Sequence, residues 1–63
     1  MLWLSEVLME GHALESFEAL AKVIETRAQQ GEMFFRMDVK PPFSDTPDNW
    51  EELLEARFTS AGK

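Results

Sequence analysis

The chain has no cysteine and no tyrosine, one histidine, and only three glycines and three prolines in 63 residues. Each shortage removes a class of answer. Without cysteine there is neither a disulfide framework nor a thiolate zinc site. His12 alone is too little for an ordinary structural zinc site. It is expected to be a turn histidine, since nothing beside it supplies a nucleophile or a second imidazole. So few glycines cannot build a phosphate-cradling loop or a nucleophile elbow. No stretch approaches the ~18 consecutive apolar residues of a membrane span. The opening Met1-Leu2-Trp3-Leu4 lacks the basic lead of a signal peptide. The expected location is therefore the cytoplasm, away from membranes.

Basic residues are scarce as well. Six Lys and Arg face twelve Asp and Glu, for a formal charge of −6. The acidity is spread along the chain: residues 1–31 hold five acids and two bases, residues 32–63 seven and four. Binding phosphates requires Lys/Arg clusters, so direct nucleic-acid binding is disfavoured and a partner with a basic patch is favoured.

Apolar side chains are plentiful: 44% of the residues, including two Trp, five Phe and four Met. That excludes intrinsic disorder. A chain this short buries only about 60% of the surface its unfolded form exposes. With disulfides and metal excluded, association is the remaining source of added stability. The reading is one small domain over residues 1–63, with a frayed tail at 59–63.

Four segments follow from spacing. Residues 4–10 predict a short helix with Ser5 as N-cap and Gly11 as stop. The parity of Leu2, Leu4 and Leu8 also admits a strand over residues 1–8. Residues 13–30 predict a long amphipathic helix: Leu14, Phe17, Leu20, Ala21, Val23, Ile24 and Ala28 share one half of the helical wheel, and Gly31 ends it. From 32 to 40 the period changes to two, with Met33, Phe35, Met37 and Val39 on one parity and Phe34, Arg36, Asp38 and Lys40 on the other. After the Pro41-Pro42 stop and a loop, Thr46-Pro47 reads as an N-cap and first helical residue, opening a helix to about Phe58.

The expected class is α+β in the order α-α-β-α. A lone strand leaves its backbone donors and acceptors unsatisfied. Either residues 1–8 supply a second strand, or the 33–39 segment pairs outside the chain. The expectation is a homodimer, with Met33, Phe35, Met37 and Val39 at an antiparallel interface. Arg36 and Asp38, of opposite sign, suit cross-strand ion pairs, and Phe34 stands on the charged parity, where an aromatic ring suits a partner contact.

On the last helix Trp50 lines the apolar side, and Glu51, Glu55 and their neighbours Asp48 and Glu52 form an acidic ridge. Arg57 interrupts the apolar side. Such an arginine covers apolar surface with its stem or crosses an interface to a carboxylate. Trp50, Glu51, Glu55 and Arg57 are thus candidates for partner contact, alongside Phe34, Arg36 and Asp38. No catalytic constellation, cofactor motif or metal cluster is read. The expected function is a non-enzymatic, acidic, protein-binding regulator or inhibitor that occupies a surface of a larger protein. Two alternatives are a nucleic-acid mimic that blocks a DNA- or RNA-binding enzyme, and a minor subunit or assembly chaperone of a larger complex, a viral one among the options.

Overall fold

A computed structural model describes residues 1–10 and 14–62. Among these the order is β1 (Leu2–Trp3), α1 (Leu4–Glu10), α2 (Phe17–Gln29), β2 (Phe35–Arg36) and α3 (Trp50–Ala61). The class is α+β, with three helices and a two-strand parallel sheet within the described residues.

Helix α2 is the spine. Phe17, Leu20, Ala21, Ile24 and Ala28 are all buried and recur at the three- and four-residue steps of one helical face. The helix begins at Phe17, four residues after the expected start, because Ser16 adopts extended dihedrals and its hydroxyl accepts the Ala19 amide at 3.1 Å. The carboxylate of Asp45 accepts the Phe17 amide at 2.8 Å, so the loop before α3 is tied to the start of α2. At the other end Gly31 donates to Ala28 O and Glu32 to Arg27 O, the paired bonds of a Schellman stop. Gly31 takes φ +109°, where an L side chain is strained.

Helix α3 lies on α2 through Trp50, Leu54 and Phe58, which repeat every four residues. Leu54 is fully buried, with Trp50 and Phe58 half-buried beside it. The expected start at Pro47 is corrected to Trp50. The Thr46 hydroxyl donates to Pro41 O instead of capping, and Trp50 N bonds Pro47 O in a turn. The helix also runs three residues past the expected end, to Ala61, within the segment expected to fray.

At the N-terminus the helix and strand readings each hold for part of the segment. Leu2–Trp3 is a strand, and the helix runs from Leu4 to Glu10 as expected, with Leu4 and Val7 buried three apart. Ser5 is not the N-cap but lies inside α1. Gly11 and His12 fall outside the described residues.

The expectation of a single strand with no partner inside the chain is corrected. β2 pairs with β1, Leu2 opposite Phe35 and Trp3 opposite Arg36. The pairing is parallel because two helices carry the chain from the end of one strand back to the start of the other. Regular strand is confined to Phe35–Arg36 within the expected 32–40, and a bend falls at Val39.

Candidate functional site

The two strands divide their side chains between two environments. Leu2 is buried, and Phe35 stacks on Phe58 of α3 with ring centroids 5.3 Å apart. The next register pair, Trp3 and Arg36, points to the opposite face. Alternation puts Met1 and Phe34 on that outer face as well. Their exposures are high for apolar side chains: Met1 61%, Phe34 65% and Trp3 37%. Arg36 is exposed too and forms no ion pair among the described residues. One face of the sheet thus builds the helical core, and the other presents two aromatic rings and a free guanidinium to solvent. Aromatic rings with arginine are the composition of binding hot spots.

Two open grooves flank this sheet. One, about 300 Å³, is lined by Glu32, Met33, Phe58, Thr59 and Gly62. The other, about 290 Å³, is lined by Trp3, Arg36, Met37 and Asp38. Both are open to solvent and stand at the lower end of the size range of small-molecule pockets. Among the described residues, no three His, Cys, Asp or Glu side chains converge. No described helix is long and apolar enough to cross a membrane.

The residues expected at a partner surface fall into three groups. Phe34 and Arg36 come together on the outer sheet face. Glu51 and Glu55 are exposed on α3 beside Glu52, with no basic partner among the described residues. Asp38, Arg57 and Trp50 are engaged inside the chain. Asp38 Oδ1 accepts the Ser5 amide at 3.0 Å, reaching from the end of β2 to the first turn of α1. Hydrogen bonds from Ser5, the hydroxyl first and then the amide, hold the Asp38 carboxyl below its usual range. Arg57 grips Glu18 through two 2.9 Å contacts and Glu25 at 3.1 Å. The bonds to Glu18, assisted by the charges of Glu18 and Glu25, raise its already high pKa. Trp50 packs against the core.

Of the side chains expected at a dimer interface, Phe35 and Met37 pack on the core, while Met33 is 79% exposed and Val39 stands exposed in the bend. Trp3 is the site residue that spacing did not single out. A two-residue strand is too short for alternation to announce it, and only the unusual number of aromatics hinted at its exposure.

Compared with protein-family models, curated proteins and solved structures, the chain finds no match in any of the three.

Proposed function

We propose that the chain is a small acidic protein-binding regulator that acts by covering a surface of a larger protein, without chemistry of its own. The observation that carries this reading is the outer sheet face. Trp3, Phe34 and Arg36 lie side by side on the ladder and are exposed, although the same strands bury Leu2 and pack Phe35 on the other side. Exposed aromatic groups cost solubility, and a contiguous group of them marks an interaction surface. The net charge of −6 and Glu51, Glu52 and Glu55, which have no basic partner among the described residues, supply the long-range attraction that brings a basic partner to that face.

The test is capture from a lysate of the producing cells by the immobilised chain. The wild-type chain retains one stoichiometric protein, and a Trp3→Ala/Phe34→Ala variant loses it while keeping its helical circular dichroism. The Glu51→Gln/Glu55→Gln variant still captures it but associates more slowly at low salt. Equal capture by the sheet variant would sink the reading. Capture lost only by the carboxylate variant, and abolished by salt, would favour nucleic-acid mimicry through the α3 ridge instead.

A further inference from the structure

The sheet also has an edge. Leu2 donates to Phe34 O at 2.8 Å and lies opposite Phe35. In a parallel ladder of this register, Phe34 and Arg36 turn their backbone groups toward β1. The amide and carbonyl of Phe35 therefore point the other way, off the outer edge of β2, with no partner in the sheet. A two-stranded sheet with an open edge is marginal, and a template for another strand.

We propose that this edge is closed by a second copy of the chain, β2 against β2 and antiparallel, with the two-fold axis at Phe35. Edge parity, charge and the groups already engaged select this register from four. Centring on Phe34 draws on Glu32, which already holds the Met1 amino group at 3.5 Å, and sets the two Phe34 rings against each other instead of against Arg36. Outward-pointing groups belong to odd-numbered residues, so the hydrogen-bonded pairs join odd to odd. Centring on Arg36 sets two guanidinium groups face to face, which is repulsive. Centring on Met37 requires straight backbone through Val39, where the chain bends, and draws on Asp38, which already holds Ser5. Centring on Phe35 uses only residues 33–37. It exchanges two hydrogen bonds between the Phe35 residues and pairs Met33 with the partner's Met37. On the outer face each Arg36 lies opposite the partner's Phe34, a cation–π arrangement made twice by symmetry. Within residues 33–37 no like charges meet, and Phe34 gains a neighbour of the right kind. Glu32 and the partner's Asp38, the next pair out, are both acidic, but each is held within its own chain, by the Met1 amino group and the Ser5 amide.

The dimer joins the sheets in the order β1-β2-β2-β1 and merges two outer faces into one. Each Arg36 then sits between Trp3 of its own chain and the partner's Phe34, so the second copy contributes a residue to the docking face. The association stands on edge geometry and is tested without any other protein. A failure here leaves the docking face as it is in the single chain, and the capture experiment judges that separately.

The measurement is sedimentation equilibrium of the purified chain from low to high micromolar concentration. The contact is much smaller than the roughly 1,200 Å² of a strong interface, so the apparent mass should climb from one chain to two with a dissociation constant between about one and one hundred micromolar. Met33→Pro removes an edge donor at a side chain that packs on nothing, and should weaken the dimer at least about tenfold with the helical signal intact. Phe34→Arg, which sets guanidinium groups opposite each other, should do the same. Register is read by mixing Met33→Cys and Met37→Cys chains under oxidation. With no native cysteine, the mixed disulfide should dominate both self-pairings, because hydrogen-bonded antiparallel partners stand ~5.5 Å apart at Cα. A monomer at several hundred micromolar, a dimer indifferent to both Met33→Pro and Phe34→Arg, or self-paired disulfides in place of the mixed one would overturn the proposal.

Discussion

Helices α2 and α3 meet along buried Leu20, Ile24 and Leu54, and Arg57 of α3 fastens the seam by holding Glu18 and Glu25 two turns apart on α2. The β1–β2 ladder matches two residues with two. The helix pair directs most of its large side chains inward, and the ends of α2 are closed by Ser16, Asp45 and the Gly31 stop. The ladder leaves Phe34 and Trp3 in water and, among the described residues, the outer backbone edge of β2 unpaired. Stability and exposure are thus divided between separate parts of the chain. The helices can hold the fold while the sheet keeps a surface that a lone chain gains nothing by exposing. Scattered exposed apolar groups elsewhere, Met9 on α1 and Leu53 on α3, are isolated and ordinary by comparison.

If that division is right, substitutions in the two regions should separate stability from association. The largest effect belongs to the helix seam. Leu54→Ala leaves a cavity at a fully buried position and should cost about 3 kcal/mol, lowering Tm by roughly 12–24 °C in a domain of this size. Next come the ends of α2. Gly31→Ala forces an L residue into φ +109° with no atoms close by to clash with, so backbone strain alone should cost about 1–2 kcal/mol in a denaturant titration. Ser16→Ala removes a cap and should cost about 1 kcal/mol by the same measurement.

Smaller, and dependent on pH, is the tie between sheet and α1. The Asp38 carboxyl is more acidic in the folded chain than in the unfolded one. As pH falls, the unfolded state takes up this proton first. The stabilisation is therefore complete above the unfolded value, near pH 4, and lost as pH drops through the folded one. Thermal melts between neutral pH and pH 2 should show this loss in the wild-type chain and a shallower acid slope in Asp38→Asn. The smallest stability effect belongs to the sheet's outer face. Phe34→Ala should change unfolding free energy by less than about 0.5 kcal/mol while weakening self-association and partner capture. A large drop in Tm from Phe34→Ala would break the comparison, because it would make the exposed ring part of the fold.

How much of this was legible beforehand varies with the range of the interaction. The buried face of α2 is written in local spacing, and every residue buried on that helix was on the expected face. Spacing alone starts the helix too early because Leu14 continues the apolar spacing past Ser16, although serine before an apolar periodic run is a capping signal in its own right. Local spacing puts the start of α3 three residues early, because Thr46-Pro47 has the form of a cap and nothing nearby in sequence tells that the Thr46 hydroxyl is taken by Pro41. β1 was legible only as an alternative, since two residues carry no period. The outer face needed the register, which joins residues 33 apart in the chain.

Composition and local periodicity by themselves determined that this chain is acidic, free of thiol chemistry and built on an amphipathic helix ended at Gly31, because charge, redox chemistry and helical spacing are properties of single residues and near neighbours. Tertiary structure alone decided that β2 pairs inside the chain, that Arg57 and Asp38 are occupied by Glu18, Glu25 and Ser5, and that Trp3, Phe34 and Arg36 share a bare face. Each of those outcomes depends on which distant segments come within a hydrogen bond of one another, and that is fixed only when the helices pack and bring the strands together.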